Sequence, residues 1–183
     1  MDKKIKVLYF AMVELDVPEG PAVHTLNLVK GFKEMGARIL LLCPRPRKSY
    51  QNPDLQEYIY IPFRGFSIPQ LMLFDFLSFF YLLYAFLAFR PNVFLARESE
   101  GNLSVLFVTW IFRVPLIVDV NGPFDMDFIA LEEFHAEFPS FSRIHPFKRW
   151  VISIWRKVWS SLMLKSARGL TSNAEFWRDS VCH

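Results

Sequence analysis

The feature that most constrains this chain is a regular alternation of short apolar runs with longer stretches of helical periodicity. Residues 5–11 (Ile-Lys-Val-Leu-Tyr-Phe-Ala) are largely apolar and rich in β-formers, as in a parallel strand covered on both faces. A loop with Asp16, Pro18, Gly20 and Pro21 follows. Residues 22–35 then place apolar side chains at 22, 26, 29 and at 28, 32, 35, the spacing of one helix, with Gly36 positioned to cap it. Residues 38–43 (Arg-Ile-Leu-Leu-Leu-Cys) form a second strand, stopped by Pro44 and Pro46. A parallel pair is the economical reading of this β-α-β unit. The pattern repeats: a strand at 58–62, a helix at 67–89 ended by Arg90-Pro91, a strand at 92–96, a helix at 102–112, and a strand at 116–120 ending in the turn Asn121-Gly122-Pro123. A helix at 147–166, a strand at 169–172 and the start of a helix from 174 complete it. This order predicts a doubly wound α/β parallel sheet in a single domain.

With 183 residues, 52% of them hydrophobic, the chain can bury a real core without disulfides or a structural metal. Two cysteines, Cys43 and Cys182, exclude a disulfide framework and a four-cysteine zinc site. The charge balance, 21 basic minus 18 acidic for +3, is too small to argue for nucleic acid. Lys3, Lys4 and Lys6 precede only a short apolar stretch before Glu14 and Asp16, so no cleavable signal is read there. Residues 71–89 have the length of a membrane span, with Asp75 and Ser78 as their clear polar members. Their position between strands that must pair in one sheet argues for a crossover helix instead. Charge is segregated late in the chain. Residues 119–137 carry six acids and no Lys or Arg, whereas 143–168 carry seven basic residues, no acid, and Trp150, Trp155 and Trp159. The helix at 147–166 therefore has two compatible readings. It is an interfacial helix on anionic lipid, or an amphipathic helix packing Phe147, Val151, Ile154, Val158 and Leu162 on the sheet.

In open α/β sheets, ligands bind outside the carboxyl ends of the strands. That selects the loops at 12–21, 97–101 and 121–127. The first feeds a helix whose free N–H groups suit an anion such as a nucleotide diphosphate, although Gly20-Pro21 equally suits an ordinary helix start. Neither a dinucleotide glycine fingerprint nor a P-loop is present, and no Tyr-x-x-x-Lys pair supports a nucleotide-sugar epimerase or reductase of the dinucleotide-binding kind. His24 falls in the first turn of that helix. Arg97 and Glu98, at a strand end, suit a hydroxylated substrate or an internal ion pair. Asp125-Met-Asp127 has the spacing of two carboxylates sharing a cation, which an acid-rich loop also produces by chance. His135 and His145 lack partners at ligand spacing, and no Ser or Cys sits in a nucleophile elbow.

Taken in order, several segments resemble one family. Val7-Leu-Tyr-Phe, then Pro18-Glu-Gly20-Pro-Ala-Val-His24, Leu28, Phe32, Met35-Gly36 and Ile39 resemble the opening of GT-B glycosyltransferases of the retaining family 4 (glycosyl transferase group 1). Arg90-Pro91-Asn92-Val93 is similar to the family's "RPDV" lead into its next strand. Val114-Pro-Leu-Ile-Val-Asp-Val-Asn121-Gly122 resembles the strand that runs to its acceptor-side loop. Ser166-Ala-Arg-Gly-Leu-Thr-Ser172-Asn173-Ala-Glu resembles the "ADxVIAVSE" segment near the end of its N-terminal domain. The resemblance implies a Rossmann-like acceptor-side domain, the N-terminal half of a GT-B architecture, facing a donor-binding domain across a cleft. It implies sugar transfer from a nucleotide-sugar without a metal or other cofactor. Glu19, Gly20 and Pro21 would approach the donor diphosphate. Arg97, Glu98, Asn121, Gly122 and Asp125 would bind the acceptor, with His24 and Asn121 as the catalytic candidates.

The chain departs from the family pattern in places. Glu19 replaces the first of two usual glycines, Asn173 stands near the usual Ser, and Asn121 replaces a frequent His. A carboxamide orients a hydroxyl but is no base near neutral pH. The sequence stops at His183 within a helical pattern, so the domain at 1–183 is expected to be incomplete and to lack the donor domain and its paired glutamates. The expectation is an acceptor-side domain for a lipid-linked or cell-surface glycan, inactive by itself, cytoplasmic and peripheral on the inner face of the cell membrane. A non-catalytic membrane-associated fragment, or a partner subunit of a split enzyme with a separate donor-domain chain, is the alternative. Exposed Phe and Trp are expected to make the isolated chain poorly soluble.

Overall fold

The computed structural model describes residues 5–16, 20–46, 57–62, 68–97, 103–120, 154, 158, 161, 162 and 165–172. Six strands form one sheet: β1 (Lys6–Phe10), β2 (Arg38–Pro44), β3 (Tyr58–Ile61), β4 (Val93–Arg97), β5 (Leu116–Val120) and β6 (Gly169–Ser172). Their order is β3-β2-β1-β4-β5-β6, and every adjacent pair is parallel. The expected strands are all present, with ends shifted by a residue or so.

Because successive strand residues point to opposite faces, the core divides by parity. Leu8, Phe10, Phe94, Ala96, Leu116 and Val118 pack on one face, with α2 (Ile68–Phe89) and α3 (Leu103–Phe112) over them. Val7, Tyr9, Ile39, Leu41 and Leu95 pack on the other, under α1 (Gly20–Glu34), which contributes Ala22 and Val29. The sheet is the middle of a three-layer sandwich, which is why its strands are apolar throughout rather than alternating.

The helix ends follow local chemistry. Gly36 takes a positive φ of 79° after α1. Its N–H donates to the Lys33 carbonyl at 2.8 Å and the Ala37 N–H to the Phe32 carbonyl at 3.0 Å, a Schellman closure. The ends of α2 and α3 are unusual. There Arg90 (φ 53°) and Arg113 (φ 52°) occupy the left-handed conformation that glycine adopts at least cost. The C-terminus of α2 is tied to the start of β1, where the Lys6 ammonium donates to the Phe89 carbonyl at 3.2 Å and the Lys6 N–H to Asn92 Oδ1 at 3.0 Å.

α2 is the crossover from β3 to β4 within one sheet. Among the described residues no helix is long and apolar enough to cross a membrane. Its one acid, Asp75, is 7% exposed and turned toward α3. The carboxylate accepts from the Ser104 N–H at 3.0 Å and the Ser104 hydroxyl at 2.7 Å, capping the first turn of α3 from a neighbouring helix. Burial raises its pKa above the usual carboxylate value, while the Ser104 and Leu103 hydrogen bonds act in the opposite sense. Farther along, the Phe86 and Phe112 rings stack at 3.9 Å, so the two helices are joined at both ends.

Residues 154, 158, 161, 162, 165 and 166 are helical, within the helix expected at 147–166. Ile154, Val158 and Leu162, however, are exposed. That apolar stripe faces outward, whereas the packing reading placed it against the sheet. The helix expected from 174 lies outside the described residues.

Candidate functional site

The site lies at the carboxyl ends of β1, β4 and β5, on the α1 face of the sheet. Strand register creates it: Arg97 pairs with Asp119 across β4 and β5, and Tyr9 pairs with Leu95 across β1 and β4. Tyr9, Arg97 and Asp119 share one pleat parity, so all three side chains rise toward the helix that leaves the first loop. The first turns of α1 supply His24 and Thr25 from above.

Asp119 is the centre of the group and is 0% exposed. His24 Nε2 lies 3.0 Å from its Oδ1 and 3.1 Å from its Oδ2. The Tyr9 hydroxyl donates to Oδ2 at 3.0 Å. Burial first, and then the Asp119 charge, push the Tyr9 pKa well above its ordinary value, which keeps the phenol a donor. The Arg97 guanidinium, 3.9 Å from Asp119 Oδ2, donates to the Pro21 carbonyl at 3.1 Å and to Thr25 Oγ1 at 3.2 Å. It neutralises the buried acid and fastens the start of α1 to β4.

The arrangement fixes the histidine. A carboxylate only accepts, so Nε2 donates to Asp119, and in the neutral ring it is Nδ1 that carries the lone pair. Nδ1 has no partner among the described residues, and the His24 side chain is 20% exposed. An oriented imidazole backed by a buried carboxylate, with one nitrogen open, accepts a hydrogen bond from a substrate hydroxyl and can take its proton. A Cβ placed on Gly20 would meet nothing within 4 Å, so there is open space beside the first turn of α1 and no internal contact demands a glycine.

Of the candidate residues read from sequence, the structure brings together His24, Arg97 and Pro21, with Gly20 beside them. Arg97 is buried and engaged internally, the ion-pair alternative of its two readings. Glu19, Glu98, Asn121, Gly122, Asp125 and Asp127 lie outside the described residues. Sequence reasoning missed Tyr9, Thr25 and Asp119. The available signal was an acid and a tyrosine inside otherwise apolar parallel strands, two residues or fewer from the strands' carboxyl ends. Among the described residues, no group of three His, Cys, Asp or Glu side chains is gathered for a metal ion.

No curated protein matches the sequence significantly. Among solved structures, a Listeria monocytogenes protein assigned as a UDP-N-acetylglucosamine 2-epimerase is similar over 98% of this chain and 41% of its own, with 10% identity and a TM-score of 0.61. A second UDP-N-acetylglucosamine 2-epimerase is similar over 98% of this chain and 45% of its own, with 10% identity and a TM-score of 0.59. MurG of Acinetobacter baumannii aligns over 66% of this chain and 37% of its own, at 11% identity and a TM-score of 0.47. At these identities the two epimerases show the fold, and the chain spans less than half the length of either. The family model named Glycosyltransferase Family 4 matches residues 18–183. With its all-parallel Rossmann-like sheet, the chain belongs to glycosyltransferase family 4.

Proposed function

We propose that this chain is the acceptor side of a glycosyltransferase that moves a sugar from a nucleotide-sugar onto a lipid-linked or cell-surface glycan. The observation that carries this reading is the His24–Asp119 pair at the carboxyl ends of the strands, with no partner for His24 Nδ1 among the described residues. His24 receives the acceptor hydroxyl. Asp119 holds the ring and stabilises the imidazolium if the proton transfers. Glu98, which follows β4 in the sequence, and Asn121, Gly122 and Asp125, which follow β5, hold the rest of the acceptor sugar. The start of α1, at Glu19, Gly20 and Pro21, approaches the donor diphosphate, and the free backbone N–H groups of its first turn, Pro21 having none, donate to it. A second Rossmann-like domain binds the nucleotide-sugar through the family's paired glutamates. No metal or other cofactor takes part. Residues 1–183 without a donor-binding domain are expected to show no turnover. The protein works at the cytoplasmic face of the membrane, a placement supported by the basic, tryptophan-bearing segment 143–168 and by the outward Ile154, Val158 and Leu162.

The test is sugar transfer to a membrane-lipid extract by the chain assembled with a donor-binding half, with the isolated chain assayed in parallel. A His24→Gln variant of unchanged stability is expected to lose roughly 100-fold or more in kcat. Equal kcat for the variant would remove the proposed role of His24. Turnover by the isolated chain would contradict the split of labour. No transfer with any donor half would leave the chain as a non-catalytic partner subunit.

A further inference from the structure

The outer surface of the α2–α3 layer carries no charge among its described residues. On α2, Leu73, Phe76, Phe80, Tyr84 and Leu87 are all exposed and recur at intervals of three and four, one narrow stripe along the helix. On α3, Phe107, Trp110 and Ile111 continue the apolar surface, with Trp110 78% exposed. Among the exposed described residues of the two helices, the polar atoms are the Tyr84 hydroxyl and the Trp110 indole N–H. The single acid of this layer, Asp75, is turned inward to Ser104. Monomeric soluble proteins rarely expose large contiguous apolar patches, and this surface carries eight exposed large apolar side chains on two packed helices.

Three helices share this surface. Connections between adjacent parallel strands are right-handed, so the helix joining β5 to β6 lies on the same face as α2 and α3. Ala167, just after its described residues, packs against the same core cluster. The outward Ile154, Val158 and Leu162 thus lie on the same side of the sheet as the stripe.

Charge then names the occupant. α2 leads into β4, α3 into β5 and the third helix into β6, and these strands lie side by side. Their helix C-termini therefore stand in a row along one edge of the sheet. The row carries Arg90, Arg113, Lys165 and Arg168, all exposed. The helix dipole explains a basic residue in a last turn. It does not require arginine at the left-handed position after α2 and again after α3, where glycine costs least. We propose that the outer face of these three helices docks on an anionic lipid bilayer. The apolar stripes enter the acyl boundary, Tyr84 and Trp110 sit at headgroup level, and the basic row meets lipid phosphates. The proposal rests on the membrane placement given above and assigns it a surface, one that leaves His24, on the α1 face, clear of lipid.

The experiment is flotation of the 183-residue chain with vesicles of phosphatidylcholine alone and with added phosphatidylglycerol, at low and high salt. The wild-type chain is expected to float with the anionic vesicles. Phe80→Glu/Trp110→Glu, at exposed positions, should lose more than tenfold in binding with an unchanged urea midpoint. Arg90→Gly and Arg113→Gly should each weaken binding to anionic vesicles about fivefold while raising the urea midpoint, a pairing of effects that general damage to the fold cannot produce. Equal flotation of Phe80→Glu/Trp110→Glu and wild type would overturn this face while leaving membrane binding through segment 143–168 intact. No flotation of the wild type would overturn both. A lipid-free dimer that Trp110→Glu dissociates, with no vesicle binding, would mean that a second copy covers the face. Sugar transfer is not measured in any arm, so the transferase reading stands or falls separately.

Discussion

Two buried carboxylates sit on opposite faces of the same sheet. Asp119, under α1, meets a histidine ring, a phenol and a guanidinium, and one of these, His24, reaches solvent. Asp75, beside α3, meets among the described residues only the neutral hydroxyl and backbone donors at Ser104 and Leu103. A carboxylate given titratable and cationic partners at a strand end can pass the effect of its charge to a ligand. One given neutral donors inside a helix pair joins two elements and does little else. The partners and the outlet, rather than the depth of burial, separate a functional acid from a structural one.

The largest test of this contrast is Asp119→Ala. It strands the buried Arg97 and Tyr9 groups, and urea unfolding should show a loss of about 3–5 kcal/mol, the usual cost of removing one partner of a buried pair. A loss below about 1 kcal/mol would put Asp119 in the same class as an ordinary surface acid. Asp75→Ala should cost less, about 1–3 kcal/mol, because it leaves only neutral donors and one helix end unsatisfied. Asp75→Asn sharpens the comparison through pH. Asp75 has a raised pKa in the folded chain, so its ionised form is the disfavoured one. Wild-type stability should therefore be lower above that raised pKa and recover as pH falls through it toward the ordinary carboxylate range. The Asp75→Asn side chain keeps an acceptor for Ser104 without the charge. This variant should exceed wild type in urea midpoint at pH 7, with the gap closing on acidification. A gap independent of pH would contradict the assignment. The smallest effect is expected for Thr25→Ala, about 0.5–1.5 kcal/mol, since Arg97 keeps its bond to the Pro21 carbonyl. Unfolding midpoints of the variant and wild type measure it directly.

The fold was legible because each buried parallel strand is a short apolar run, and every run after the first meets Pro, Gly or Asn at one end or both. Gly36 and Arg90-Pro91 marked helix ends where the structure has them. The site was half legible. His24 and Arg97 stood out by position near strand ends. Asp119 did not, because its partners lie 95 and 110 residues away in sequence, and only the strand order brings them together. Asp75 was visible as an acid in an apolar helix, but nothing local pointed to Ser104, 29 residues on. Ile154, Val158 and Leu162 show another limit. Helical periodicity reveals that a face is apolar and is silent on whether protein or something else covers it.

The strand order also sets a schedule for making the protein. β1 is the first strand synthesised and ends in the middle of the sheet, between β2 and β4. Its β2 side can close early, but its other edge must wait for residues 93–97, more than 80 residues later. At a translation rate of about 5–20 residues per second, that edge stays open for roughly 4–17 s. During the same interval the apolar α2 leaves the ribosome before α3, the helix it packs against. Chaperone contacts on the nascent chain should therefore concentrate between the completion of β2 and the completion of β4, and fall once the central pair has formed.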